Sequence, residues 1–434
     1  MDSLAKYACS KCSVQMDSLG RDCLISGDGL YSYKNIIDVP PLAKIDDVLG
    51  VSKCSDESIE LNSLINVKIE SKKLRFSETK CFKIHICKKS SVCNIKLKAH
   101  NNEIKDVKKA TYLGDVLSDK GTINDTIDDR KSKSIGRINQ ITSMLQSISL
   151  GFFYMDIALV FREAMLINGI ITNSEVWYNV REEHFKVLES ADKELMRKIF
   201  NAHSKTACEL FYLETGKLPI RFIISKRRLN YLWQVLSRKS DELINKVYKA
   251  QGVKTTKGDW FEMIKKEKEK YEIDISDEEI SKMSRFRFKS LVNKKVNKIG
   301  FQYLKNIASR HSKSENILKE AEHMKMLRRK SYLQENIMLK QDAQLLFKLR
   351  TKMLDVKSNF GDHFENNLTC RTCKKLDSVE NEDHLLKCEA LTSEIKNDEG
   401  VEFSYVFDGI EKQKKAVEMF KAVIRKREVL LKYQ

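Results

Sequence analysis

The stretch INQITSMLQSI, residues 138–148, decides the fold class. Its apolar residues Ile138, Ile141, Leu145 and Ile148 recur every three or four positions, which draws one stripe along an α-helix. The chain of 434 residues also holds only 3 prolines and 16 glycines, and these two residue types punctuate most turns. We therefore predict a mostly α-helical protein.

The sequence before this helix has a different character. Residues 1–120 contain consecutive prolines in VPPLA, short β-branched runs in KIHICK and SVCNIKL, and turn glycines in SGDG and YLGD. These features are typical of strands and turns, so we expect a small α+β part at the N-terminal end. The remaining regions are expected to be helical over 121–250, a basic helical linker over 251–350, and a compact C-terminal module over 351–434.

One further helix is predicted within the second region. LPIRFIISKRRLNYLWQVLSRK (218–239) is rich in apolar residues, and Pro219 suits the first turn of a helix. A C-terminal helix is predicted from Val417, Phe420, Ile424 and Leu431, which share one face.

The charge balance suggests what the chain binds. A formal net charge of +18 arises from 79 Lys and Arg against 61 Asp and Glu, spread along the whole length. Polyanions such as RNA or DNA are natural partners of such a chain. The alternative is a helical protein whose charges only solvate its helix faces. Composition alone does not decide between the two.

Cysteine usage and hydropathy bear on the compartment. The eleven cysteines are an odd number, and the start MDSLAKYACSKC lacks the basic and apolar regions of a signal peptide. We expect a reducing compartment, nuclear or cytoplasmic. The most apolar stretch, residues 151–173, carries Asp156, Arg162 and Glu163, which are costly inside a bilayer. It predicts a buried helix and no membrane contact.

The most specific chemical signal is the spacing C-x2-C-x10-H-x3-C formed by Cys370, Cys373, His384 and Cys388. Zinc takes four sulfur or nitrogen ligands in a tetrahedron, and this spacing lets two thiolates of a turn and two ligands of a helix turn meet one ion. Four protein ligands leave no open position, which predicts a structural Zn2+ site. The polar residues between the two halves are expected to form a surface loop. Coincidence among eleven cysteines is the alternative.

Basic residues cluster with aromatic ones in three places. Such mixtures can pair with phosphates and stack on bases. The candidate nucleic-acid contacts are Lys226, Arg227 and Arg228, then Arg285, Arg287 and Lys289, and finally Arg328 and Arg329. Rings at helical spacing, such as Tyr231 and Trp233, are more often core residues, so we expect phosphate contacts from only some of these cations.

Two adjacent aspartates stand in KIDDVLGVSKC (44–54), between two apolar extended segments. This setting predicts a β-hairpin with Asp46 and Asp47 at its tip. Carboxylates at such a tip can hold divalent metal ions that activate an attacking hydroxyl. A second pair, Asp128-Asp129, lies among charged residues at an expected helix start and lacks that setting.

From VPPLAKIDDVLGVSKC through ATYLGDVLSDKG (110–121), the sequence resembles the palm of reverse transcriptases from non-LTR, LINE-like retrotransposons. The resemblance implies that Asp46 and Asp47 would be the catalytic dyad holding Mg2+, that Lys80 could act as an acid near the pyrophosphate, and that Tyr112-Leu113-Gly114 is a turn leading towards a helical thumb. FKLRTKMLDVKSNF (347–360) and the Cys/His cluster are similar to the zinc knuckle of such elements.

The departures from this family matter as well. Lys44 stands where the family has an aromatic or small apolar residue, and the fingers and first palm aspartate would precede Met1. We therefore expect a truncated palm without polymerase activity alone, or one completed by another chain that supplies the missing half. The resemblance implies a fragment of an RNA-directed DNA polymerase that binds nucleic acid. The alternatives are a non-catalytic, zinc-dependent RNA- or DNA-binding module and a purely structural helical protein.

Overall fold

A computed structural model describes the chain over 95–253, 259–364, 367–393 and 400–432, and in shorter pieces before residue 95. Those pieces are the backbone of four short strands within 14–49, and residues 52, 55–71, 73, 75–77 and 80–86. The protein is mostly helical, with 65% helix and 5% strand, as the sequence predicts.

The described strands are short and pair two by two. They are β1 (Val14–Met16), β2 (Ile37–Val39), β3 (Leu42–Lys44), β4 (Asp47–Leu49), β5 (Phe82–Lys83), β6 (Lys98–Ala99), β7 (Asn102–Glu103), β8 (Lys105–Asp106), β9 (Lys109–Tyr112) and β10 (Asp115–Ser118). The antiparallel pairs are β1 with β2, β3 with β4, β6 with β7 and β9 with β10, and β5 pairs with β8 in parallel.

The described helices begin after β4 and dominate the chain beyond residue 124. They are α1 (Ser55–Ser71), α2 (Asn124–Ser147), α3 (Tyr154–Phe161), α4 (Asn168–Ile170), α5 (Glu182–Phe200), α6 (Cys208–Thr215), α7 (Ile220–Leu236), α8 (Leu243–Val253), α9 (Trp260–Lys270), α10 (Asp277–Lys282), α11 (Arg285–Ala308), α12 (Glu315–Glu322), α13 (Lys340–Arg350), α14 (Glu382–Lys387), α15 (Glu389–Thr392) and α16 (Ile410–Lys432). None of them combines the length and the apolar character that crossing a bilayer requires.

The chain divides into two compact units, each assembled from three segments. Unit 1 comprises 1–132, 171–187 and 224–295, and unit 2 comprises 133–170, 188–223 and 296–434. These units are interleaved in sequence, whereas the four regions expected above follow one another along the chain.

The stripe that predicted a helix over 138–148 is buried along most of its length. Ile138, Ile141 and Leu145 are 5% exposed or less, as expected for the apolar face of α2. Ile148 does not follow them, because α2 ends at Ser147 and the next side chain is 48% exposed. Asp128 and Asp129 lie in the N-terminal part of the same helix, in agreement with the helix start expected there.

The predicted buried helix over 151–173 is present, but only one side of it is buried. Leu159, Leu166 and Ile170 are 3% exposed or less, whereas Phe152, Phe153 and Val160 are 45% exposed or more. A 3-10 turn and α3 lead into a six-residue π-helix, Arg162–Ile167. Arg162 is completely buried, and its Nε and Nη2 donate to the two carboxylate oxygens of Asp192, both at 2.7 Å. The hydroxyl of Tyr212 donates to Asp192 at 2.9 Å. The positive charge of Arg162 in the apolar stretch is therefore paired with a carboxylate of the same unit.

Aromatic rings fill the core of unit 2. Phe211 stacks on Phe347 with ring centroids 5.1 Å apart, and Phe200 packs against Phe347 at 4.3 Å. In unit 1, the indole of Trp233 donates to the carbonyl oxygen of Met283 at 2.9 Å, and Tyr231 packs edge-on against Trp260. These two rings are structural, as their helical spacing predicts.

The Tyr-Leu-Gly segment is a tight hairpin turn between β9 and β10. Leu113 and Gly114 both have positive φ, +48° and +89°, which a two-residue hairpin turn of this kind requires. Arg130 donates to the carbonyl oxygen of Gly114 at 2.8 Å and to Asp115 at 2.9 Å. The hairpin then leads into α2.

Candidate metal centre and basic surfaces

Unit 2 brings the four predicted zinc ligands together. One donor atom from each of Cys370, Cys373, His384 and Cys388 lies within 4.8 Å of all the others. Cys373 Sγ lies 3.4 Å from His384 Nε2. Ligand atoms on a tetrahedral zinc ion stand about 3.3–3.8 Å apart, given Zn–S and Zn–N bonds of about 2.3 and 2.0 Å. The four side chains could hold a metal ion after a contraction of about 1 Å at most.

Local backbone geometry prepares the first two ligands. Thr369 and Val379 form an antiparallel bridge, and the amide of Cys370 donates to the carbonyl oxygen of Ser378 at 2.8 Å. The chain turns between these two bridge residues, where the amide of Lys374 donates to the carbonyl oxygen of Cys370 at 3.0 Å. Both thiols of the C-x2-C pair therefore lie on the same turn.

The other two ligands come from the short helix α14. The Asn381 side chain caps its N-terminus by accepting from the amide of His384 at 2.7 Å. Cys388 follows directly after the last residue of α14 and is 1% exposed. The helix start thus fixes where His384 lies, and the helix end fixes where Cys388 lies.

The electrostatics of the thiols favour a bound cation. Burial alone would raise the pKa of Cys373, but hydrogen bonds with Ser378, a backbone amide and His384 outweigh it and lower that pKa to about 6. Burial and the neighbouring thiols of Cys370 and Cys373 raise the pKa of Cys388 to about 12. Three sulfurs this close resist becoming thiolates together, and a divalent ion would supply the missing positive charge.

A buried carboxylate ties the metal module to the C-terminal helix. Glu380 is completely buried, and its Oε1 accepts from Arg371 at 2.6 Å and from Arg427 of α16 at 2.7 Å. Burial would raise the pKa of Glu380, but these arginines outweigh it and hold that pKa below its usual range. Next to it, Glu382 accepts from the Asn359 amide at 2.6 Å. Burial raises the pKa of Glu382.

This anchoring corrects one sequence expectation. The polar segment between the two ligand pairs is predicted to form a surface loop, and residues 374–377 are exposed as expected. Glu380 and Glu382 at its end are instead 4% exposed or less. Sequence reasoning also missed Arg427, which stands 47 residues from Glu380. No local pattern in SVENED (378–383) separates the buried acids from the exposed Asp383.

Around the aspartate pair, the structure describes the backbone of β3 and β4. These two strands pair antiparallel, with Lys44 opposite Asp47. Asp46 lies outside the described residues, as does the Asp47 side chain. Lys80 is exposed, and its amide donates to the carbonyl oxygen of Ser77 at 2.9 Å.

The first basic cluster is largely occupied by internal contacts. Arg228 is 3% exposed and donates to Glu267 at 3.1 Å and to the carbonyl oxygens of Ser174 and Trp177 at 3.3 and 3.1 Å. A guanidinium in these contacts is not placed to meet a phosphate. We therefore correct the assignment of Arg228, which is a structural residue of unit 1.

Its two neighbours are half-buried. Arg227 donates to the carbonyl oxygen of Ile171 at 2.9 Å and lies 3.7 Å from a carboxylate oxygen of Glu175. Burial lowers the pKa of Lys226. Both side chains keep some exposed surface, so a phosphate contact stays a prediction for them.

The second cluster is open to solvent at the start of α11. Arg285, Arg287 and Lys289 are exposed, and Phe286 between them is 83% exposed. Phe288 on the opposite side of the helix is completely buried. The helix thus packs through one apolar side and turns a mixed cationic and aromatic side outward.

In the third cluster, one arginine is exposed and the other makes internal contacts. Arg328 is exposed, whereas Arg329 pairs with Asp156 inside unit 2. Arg329 also donates to the carbonyl oxygen of Leu333. Arg328 is therefore the better placed of the two for an external phosphate.

Comparison with protein-family models, with curated proteins and with solved structures gives no match for this chain. Its function is therefore inferred from its own residues and their arrangement.

Proposed function

We propose that this chain is a nucleic-acid-binding protein whose C-terminal module is held together by a structural zinc ion. The observation that carries the binding role is the exposed set Arg285, Phe286, Arg287 and Lys289 at the start of α11. Cations can pair with backbone phosphates, and an exposed ring can stack on an unpaired base.

The position of these cations supports an external anion. The first turn of α11 holds no acidic residue, although positive charges near a helix N-terminus are disfavoured by about 0.3–1 kcal/mol each. Residues 280–314 contain ten Lys or Arg and no Asp or Glu. A bound phosphate would offset both the helix dipole and this local excess of positive charge.

The salt dependence of binding tests this proposal. The full chain is titrated against a labelled single-stranded 20-mer, as RNA and as DNA, at several KCl concentrations by fluorescence anisotropy. For Arg285→Gln/Arg287→Gln/Lys289→Gln we expect the slope of log affinity against log salt to fall by about 2, since each phosphate contact on a single strand contributes about 0.7. An unchanged slope would refute the role of this surface.

A matched control comes from three exposed lysines elsewhere in unit 1. Lys246, Lys249 and Lys265 are also exposed, and replacing all three with Gln removes the same formal charge. This control should leave the slope close to that of the unmodified chain. Equal losses in both variants would indicate an unspecific effect of net charge.

Zinc is the metal that three thiols and one imidazole suit best. When bound, the ion would cross-link the turn at Cys370 and Cys373 to the helix at His384 and Cys388. Metal analysis of reduced, carefully purified protein should give about one zinc ion per chain, and none for Cys373→Ser. Purified protein without zinc would overturn this part of the proposal.

A second candidate function is reverse transcription, proposed from the resemblance stated above. The antiparallel pairing of β3 with β4, which sets Lys44 opposite Asp47, and the tight turn at Leu113-Gly114 are compatible with it. Templated primer extension on RNA with Mg2+ or Mn2+ tests it, with Asp46→Ala/Asp47→Ala as the matched variant. Incorporation that this variant abolishes would support polymerase activity. Template binding without incorporation would leave only the binding role.

A further inference from the structure

A group of cationic and aromatic side chains from three distant segments meets on unit 2. Its members, called the Phe360 cluster below, are His203, Lys205, Lys313, Phe360 and His363. The imidazole of His203 packs against the Phe360 ring with centroids 4.8 Å apart, and the Lys313 ammonium lies 5.1 Å from the centroid of the same ring. The Phe360 ring therefore contacts both an ammonium group and an imidazole.

Lys205 and His363 form the exposed edge of the cluster. Both are exposed, and Lys205 Nζ lies 3.0 Å from His363 Nε2 although the residues are 158 positions apart. In this geometry the ammonium donates to Nε2 and the imidazole carries its proton on Nδ1. Both groups keep N–H bonds available to an external acceptor.

Positive charge exceeds negative charge at this place. Burial lowers the pKa of Lys313, and the nearby ammonium groups of Lys205 and Lys352 lower it further, against the opposing effects of Glu382 and Asp362. Glu382 is buried and bonded to Asn359, which leaves Asp362 as the exposed acid beside the cluster. An anion bound here would relieve the repulsion among the three lysines.

The cluster is joined to the metal module through the 3-10 segment Lys357–Phe364. Lys313 donates to the carbonyl oxygen of Asn359, whose side chain holds Glu382 at the start of α14. At the other end of the segment, the guanidinium of Arg371 lies 5.2 Å from the centroid of Phe364. Cations held over rings thus line this segment towards the metal ligands.

We propose that the Phe360 cluster is a phosphate-binding subsite for the backbone of a nucleic acid. Lys205 and His363 donate to one phosphate at the exposed edge, and Lys313 contributes charge from the half-buried side. The Phe360 ring contacts both Lys313 and His203, and these contacts orient the two side chains. This inference rests on the proposed nucleic-acid-binding function and adds a second contact surface, next to the metal module.

The test uses the same anisotropy titration with the full chain. Lys205→Gln/Lys313→Gln should lower the salt slope by about 1.4 and weaken binding at 150 mM KCl roughly tenfold, since two cations that neutralise the nucleic-acid backbone are lost, at about 0.7 each. Lys205→Arg, which keeps the charge, should bind within about twofold of the unmodified chain. The control Lys325→Gln/Lys432→Gln removes two exposed lysines on other elements of unit 2 and should leave the slope unchanged.

The outcomes separate this inference from the proposed function. Steep, salt-dependent binding that depends on Arg285 and its neighbours but not on Lys205 and Lys313 would overturn the subsite alone. An unmodified chain that binds neither RNA nor DNA would overturn both. Because Lys313 is half-buried, Lys205→Gln alone provides a second variant that leaves the packing intact, and it should lower the slope by about 0.7. Tighter binding of a poly-glutamate peptide than of the oligonucleotide, lost in the same variants, would assign the cluster to an acidic protein instead.

Discussion

Replacing Arg350 with Met should destabilise unit 2 more than removal of any exposed charge. Arg350 is 1% exposed and donates two hydrogen bonds to Glu214, both at 3.0 Å, and one to the carbonyl oxygen of Val406 at 2.8 Å. It also pairs with Glu320 at 2.5 Å. Met preserves much of the volume of the arginine stem, so the main effect is the loss of charge and donors.

The size of the destabilisation depends on which partners Glu320 and Glu214 keep after Arg350 is replaced. Without Arg350, Glu320 still has Lys330 as a partner. Glu214 is completely buried, and among the described residues it keeps the Tyr332 hydroxyl at 2.7 Å. Breaking a buried ion pair from one side costs about 3–5 kcal/mol, because the remaining charge stays buried without its partner. For a unit of about 200 residues this corresponds to a fall in Tm of roughly 6–20 °C.

Urea unfolding followed by circular dichroism measures the loss, and hydrogen exchange of peptides from α6 and α13 assigns it to unit 2. Arg350→Met/Glu214→Gln should recover about half of the lost free energy, because the stranded carboxylate is gone. The exposed charge change Arg425→Met on α16 serves as control and should cost under about 0.5 kcal/mol. A loss below about 1 kcal/mol for Arg350→Met, or additive losses in the double variant, would refute the reasoning.

Three further predictions concern metal, pH and backbone geometry. His384→Ala should abolish zinc binding and increase hydrogen exchange over the metal module, while peptides of unit 1 stay unchanged. Burial would raise the pKa of Glu320, but its cationic partners outweigh it and lower that pKa. Its stabilising contribution is therefore complete above the ordinary value of 4.5 and is lost as pH falls through the lowered pKa. Urea unfolding between pH 3 and 6 should show a flatter profile for Glu320→Gln, but not for the exposed Glu322→Gln. Gly216→Ala should destabilise the chain by a few kcal/mol in urea unfolding, because φ is +70° and a Cβ there would lie 2.4 Å from the amide nitrogen of Arg329.

The sequence predicts local features of this protein well and distant pairings poorly. Periodicity predicted α2, apolar content with Pro219 predicted α7, and the spacing of three cysteines and one histidine predicted the metal centre. Each of these signals lies within a short stretch of sequence. Glu214 and Arg350 stand 136 positions apart, and no interval connects them. The two interleaved units follow from such long-range contacts, which local patterns in the sequence do not reveal.

The role of a cation in this protein depends on which side chain carries it. Among the described residues, five arginines and no lysine are buried. Each buried arginine meets a carboxylate: Arg130 with Asp115, Arg162 with Asp192, Arg228 with Glu267, Arg350 with Glu214 and Arg427 with Glu380. The planar guanidinium offers five donors and is more weakly hydrated than an ammonium, so it can be buried and satisfied at once.

Because arginines can be buried in this way, an arginine-rich stretch of sequence predicts more phosphate contacts than the structure offers, as Arg228 shows. Burial of these arginines also bears on the net charge. The five pairs named above contain five arginines and five carboxylates, so their formal charges cancel. The net charge of +18 is therefore not reduced by burial of these pairs, and it is carried by residues outside them.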